Sequence, residues 1–88
     1  RARQIAEATP DRAMPARGWA REIGYSEREL GRARRAGAIP HQRRGLTRGH
    51  NGLQIAAMDL VRYLELVDAV EAGEQAAPRW YAQVRRPR

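Results

Sequence analysis

The 88-residue chain has no cysteine, no phenylalanine and no lysine, and only 6% of it is aromatic. Without cysteine it can build neither a disulfide framework nor a thiolate metal site, and nothing in it requires an oxidising compartment. Its two histidines, His41 and His50, lie in an arginine-rich stretch with no cysteine nearby. Phosphate hydrogen bonding or solvent exposure is therefore expected of them rather than metal ligation. Large apolar side chains are scarce, and a chain of this size buries only about 60 to 65% of the surface its unfolded form exposes, so the core must be thin. The longest apolar-rich stretch, Leu53 to Val70, is broken by Asp59, Arg62, Glu65 and Asp68, which excludes a membrane span there. No signal-peptide pattern opens the chain, so a cytoplasmic, nucleoid-associated location is expected. It begins at Arg1 rather than Met, as an excerpt of a longer protein would. Glycine-rich nucleotide motifs are missing. The carboxylates Asp59, Glu65, Asp68 and Glu71 have no apolar pocket in the sequence pattern to tune them for acid–base work. Neither an enzyme nor a cofactor is expected.

What the chain does have is arginine, at every one of its 17 basic positions, for a net charge of +7. The distribution says more than the total. Residues 28–52 carry seven arginines against Glu29 alone, while residues 53–77 carry Arg62 against five acids. Residues 78–88 add four more arginines and no acid. Positive charge gathered in the middle and the tail, beside an acidic segment, makes a charged face of the kind that meets phosphate.

Punctuation divides the chain into short elements. Residues 1–14, with Ile5, Ala6 and Ala8, read as an N-terminal arm or marginal helix ended by Thr9-Pro10-Asp11. Pro15 suits the first turn of a helix that carries Trp19, Ala20 and Ile23 on one face, and Gly24 is the left-handed residue that follows its end. Ser26 and Glu29 have capping-box spacing: the hydroxyl accepts from the third helical N–H while the carboxylate reaches back. A second helix is therefore predicted from Ser26 to Gly37, before Ile39-Pro40. Gly31 inside it costs about 1 kcal/mol relative to Ala, so full ordering on binding is expected. Residues 41–52, with three glycines and an Asn-Gly pair, read as a hairpin loop, and Leu53-Gln54-Ile55 as the returning strand. From Ala56 the apolar positions Leu60, Tyr63, Leu64, Val67 and Val70 follow a period near 3.6, predicting a third helix to about Ala72 with Gly73 as its stop.

On a helical wheel of about 100° per residue with Leu30 at zero, Arg28, Arg35 and Arg32 fall near 160°, 140° and 200°. Ala33 and Arg34 lie on the inward side, where Arg34 can run its stem along the core and lift its guanidinium into water. One side of the second helix is thus nearly pure arginine. Such a row repels itself, a polyanion relieves it, and the planar arginine fork matches both major-groove acceptors of guanine. Arg28, Arg32 and Arg35, with Glu27 beside them, are the candidate base-edge and phosphate contacts. Arg43, Arg44, Arg48 and His50 in the following hairpin are candidates for the adjacent backbone or minor groove.

The stretch WAREIGYSERELGRARRAGAIP, then a basic loop, then GLQIAAMDLVRYLE, resembles the excisionase and MerR-type winged helix-turn-helix group. The matching positions are Ala20, Gly24, Ser26, Leu30, Gly37, Ile39, Pro40, Ile55, Leu60, Tyr63 and Leu64. The resemblance covers residues 15–66 and implies a mainly α fold with a small β-hairpin wing. It also implies binding to double-stranded DNA, as an accessory factor for site-specific recombination or as a transcriptional regulator. Phage terminase small subunits use a similar domain. The resulting division is an arm at 1–14, the winged domain at 15–73 and a basic, aromatic tail at 74–88. Tyr63, Leu66 and Val70 form a second apolar edge, open to the Trp80-Tyr81 tail, to another copy or to a protein partner. The competing reading is a protein-interaction adaptor or an RNA- or single-strand-binding module, with Trp80 and Tyr81 as stacking platforms.

Overall fold

The computed structural model describes residues 2–43 and 53–85. Its elements run α1 (Ala2–Ala8), β1 (Ala13–Met14), α2 (Ala16–Ile23), α3 (Glu27–Arg35), β2 (Gln42–Arg43), β3 (Leu53–Ala56), α4 (Ala57–Glu71) and α5 (Tyr81–Val84). The result is a mainly helical small domain with a small antiparallel sheet.

Local chemistry sets the helix ends. Gly24 stands at φ 68° after α2, and the Tyr25 N–H turns back to the Ala20 carbonyl at 2.9 Å. Gly37, at φ 81°, does the same for α3: the N–H groups of Gly37 and Ala38 close on the carbonyls of Arg34 and Ala33. Both are positions where a Cβ would be strained, so glycine there makes the turns sharp. The second turn folds Ile39 into the core, fully buried. α3 runs unbroken through Gly31 in the free chain.

The sheet order is β1-β3-β2, with β3 central and antiparallel to both neighbours. The expected hairpin is present at its base, where Gln42 faces Gln54 and Arg43 faces Leu53; its tip, with Arg44, Arg48 and His50, lies outside the described residues. β1 had no counterpart in the sequence reading. Met14 precedes a proline, which biases it to extended backbone, and it pairs with Ile55 while Ala13 pairs with Ala56.

The core gathers Trp19 from α2, Leu30 and Ala33 from α3, Ile55 from β3, and Leu60, Val61, Tyr63 and Val67 from α4. Trp19 donates its indole N–H to the Ile55 carbonyl at 2.7 Å, tying α2 to the central strand. Neither the first helix nor the last is separate from this core. Ala6 of α1 is buried against α4 and Arg3 pairs with Glu65, so the expected arm is a docked helix. A seven-residue helix would be marginal alone; packing holds it. In α5 Val84 is fully buried, and the Trp80 ring lies 5.7 Å from that of Tyr63.

Candidate nucleic-acid interface

α3 is positioned at its start by Ser26, whose hydroxyl accepts the Glu29 N–H at 3.1 Å. The other half of the expected capping box is not made. Glu29 is buried, and its carboxylate instead takes three donors from three parts of the chain. Oε2 accepts from the Tyr25 hydroxyl at 2.5 Å and the Tyr63 hydroxyl at 2.6 Å, and Oε1 accepts from Arg85 at 2.9 Å. Arg85 also donates to the Tyr25 oxygen at 3.1 Å and pairs with Glu71. This cluster bolts α3 to α4 and, through Arg85, to the end of α5. Among the described residues no buried side-chain nitrogen or oxygen lacks a partner.

Burial, then the hydrogen bonds to the Glu29 carboxylate, push both Tyr25 and Tyr63 well above the usual tyrosine range. The folded chain therefore keeps two protons that the unfolded chain releases near pH 10. Their contribution is whole below that pH and is lost as pH climbs toward the folded values. Unfolding free energy should fall above pH ~10 by up to about 2.7 kcal/mol per pH unit, the linkage slope for two such groups. Urea midpoints between pH 8 and 11 measure it, and Tyr25→Phe should halve the slope; a flat profile would refute the cluster.

The arginine face of α3 divides in two. Arg28 and Arg35 are exposed, and among the described residues neither takes part in an ion pair. Arg32 departs from the expected row: it is half-buried, donating Nε and Nη2 to the Val84 carbonyl, both at 3.2 Å. Glu27 is exposed and faces Arg17 at 3.6 Å. Arg34 is half-buried, as its position toward the core edge requires. Part of this charge pattern serves the helix itself. Glu27 and Glu29 sit in the first turn and Arg32, Arg34 and Arg35 in the last, the arrangement that complements the helix dipole.

Gly31 lies on the same side as Arg28 and Arg35. The nearest atoms to a methyl group added there are those of the Arg35 guanidinium, with Nη1 at 3.2 Å. That guanidinium is the free end of a flexible side chain and can move aside. Gly31→Ala should consequently stabilise the fold by roughly 0.5 to 1 kcal/mol, read as a higher melting temperature; a lower one would mean the site is tighter than it looks.

Of the remaining candidates, His41 is exposed just before β2, and Arg43 pairs with Leu53 through the β2 backbone. Of the second apolar edge, Tyr63 is buried, with its hydroxyl on Glu29 and its ring beside Trp80, so the tail is the partner that meets it, while Leu66 and Val70 are half-buried. Trp80 and Tyr81 are half-buried as well, which removes them as free stacking platforms. Besides Asp59, which pairs with Arg62, two α4 acids are engaged from other elements, Glu65 by Arg3 and Glu71 by Arg85. They rim an open cleft of about 480 Å³ whose apolar floor includes Ile23, Val61 and Leu64. Among the described residues no three acidic or histidine side chains gather as metal ligands would, and no helix is long and apolar enough to cross a membrane.

Comparison with models of known protein families, with curated proteins and with solved structures finds no match.

Proposed function

We propose that the chain is a sequence-specific double-stranded DNA-binding domain of the winged helix-turn-helix kind. In this reading α2, the Gly24 turn and α3 form the helix-turn-helix, α3 enters the major groove, and the β2–β3 hairpin is the wing on the neighbouring backbone or minor groove. Its biological role is that of an accessory factor in site-specific recombination or a small transcriptional regulator, with the DNA-recognition part of a packaging protein as the alternative.

One observation carries the reading. Arg28 and Arg35 stand two turns apart on the exposed side of a helix whose opposite side is locked into the core through Leu30 and Ala33. Of the six other arginines on the described helices, four are spent internally: Arg3 on Glu65, Arg17 on Glu27, Arg62 on Asp59 and Arg32 on the Val84 carbonyl. Two arginines left unpaired on one rigid helix face, close in sequence to a hairpin rich in more, suit a polyanion with regularly spaced phosphates.

A mobility shift with random duplex at low salt, repeated with competing single strands and RNA, tests this directly. Duplex should be shifted and should outcompete both. The absence of any duplex shift would contradict the reading and turn attention to the α1–α4 cleft as a protein-docking surface. Selection of bound duplexes from a random pool then separates roles: tandem direct repeats indicate a recombination-type array, an inverted repeat a dimeric regulator.

A further inference from the structure

Resting on the duplex-binding reading above, we infer that the strip of α3 that reads DNA is Arg28–Gly31–Arg35, with Gly31 the point of closest approach and Arg32 withdrawn from reading to hold the C-terminal segment.

Two independent observations meet here. The first is the tail. The α3 edge that carries Glu29 and Arg32 is covered by residues 80–85: Arg85 lies on Glu29, Val84 is fully buried, and Arg32 spends two of its N–H donors on the Val84 carbonyl. A guanidinium held by a backbone carbonyl on its own chain cannot at the same time present that fork to a guanine edge. Arg32 is thus a positioning residue. It fixes α5 against α3 and marks the boundary of the surface that stays open.

The second is Gly31. It sits inside a regular helix, at a position where glycine weakens the helix and backbone geometry does not ask for it, since its φ is not positive. Packing does not ask for it either, because the nearest atoms to an added methyl group are those of the Arg35 guanidinium, the far end of a flexible side chain. Folding alone therefore gives no reason for glycine there. Arg28, Gly31 and Arg35, at i, i+3 and i+7, form one stripe, its two arginines exposed and Gly31 half-buried between them under the Arg35 guanidinium, so two long cations flank a gap with no side chain. A base pair facing that gap can come up to the helix backbone while the two arginines reach to either side of it. Arg35, laid across Gly31 in the free chain, swings out to make room.

The test compares full-length variants on the best duplex from a random pool, each checked by its melting temperature. Gly31→Leu should melt no lower than the parent chain yet bind about tenfold or more weakly, and Arg28→Ala and Arg35→Ala should each lose about tenfold or more. Arg32→Ala should melt lower but bind within about threefold of the parent once folded. Arg32→Gln, which keeps an N–H donor for the Val84 carbonyl without the charge, should restore the melting temperature and bind as the parent does. Unchanged binding by Gly31→Leu, or an Arg32→Gln variant that folds normally and loses affinity as far as Arg28→Ala does, overturns the strip while leaving duplex binding intact. A parent chain that shifts no duplex overturns the functional reading itself.

Discussion

Replacing Glu29 with alanine should lower the unfolding free energy by about 3 to 5 kcal/mol, the usual cost of removing one partner from a buried ionic cluster. The effect is large because one carboxylate serves three elements. Without it the Tyr63 hydroxyl, on a buried ring of α4, loses its acceptor, the Tyr25 hydroxyl loses the same oxygen, and Arg85 keeps only Glu71 and the Tyr25 oxygen. Orphaned hydroxyls carry their full desolvation cost. A domain of this length has a total stability on the order of 5 to 10 kcal/mol, so the variant should be partly unfolded at body temperature. Its melting temperature should fall by roughly 15 °C or more. Because the cluster also anchors the end of α5, limited proteolysis should release the C-terminal segment from Glu29→Ala before the rest is cut. A variant that melts within about 3 °C of the parent, a change worth well under 1 kcal/mol, would show that the cluster is not the tie between α3, α4 and the tail.

The second large effect is expected from salt. If Arg28 and Arg35 on α3 act with the arginines of the hairpin, about four to five phosphates are neutralised, and the logarithm of the association constant should fall with log salt at a slope near −4. Raising monovalent salt from about 50 to about 200 mM should then weaken duplex binding by roughly 150- to 500-fold. A slope shallower than about −1 would mean that at most one phosphate is engaged, too few for a helix and a hairpin bound together. The same titration with Arg28→Ala should give a slope less steep by about one if that residue meets phosphate, and little changed if it meets a base edge.

The central helices were legible because their signals are local. Pro15, Gly24, Ser26, Gly37 and Gly73 act within one turn of where they stand, and the 3.6 period of Leu60, Tyr63, Leu64 and Val67 needs only its own helix to be read. What the sequence hid depends on residues far away along the chain. Glu29 has the spacing of a capping box, and only the folded chain brings Tyr63 and Arg85 close enough to claim its carboxylate. Arg32 sits correctly on the wheel with Arg28 and Arg35, but its partner is a backbone carbonyl 52 positions away, which has no residue type to betray it. β1 is two residues long and cannot display an alternation. The docking of the tail was partly readable, since the Trp80-Tyr81 pair was one of the partners open to the apolar edge at Tyr63.

The most direct measurement is the affinity of the double variant Arg28→Ala/Arg35→Ala for the best selected duplex, beside the parent chain, with both melting curves recorded. Neither side chain has an ion-pair partner among the described residues, so the fold should be intact. Affinity should drop by about 100-fold or more, the combined effect of two arginine contacts of this kind. A folded double variant that binds as tightly as the parent would mean that α3 does not face the duplex.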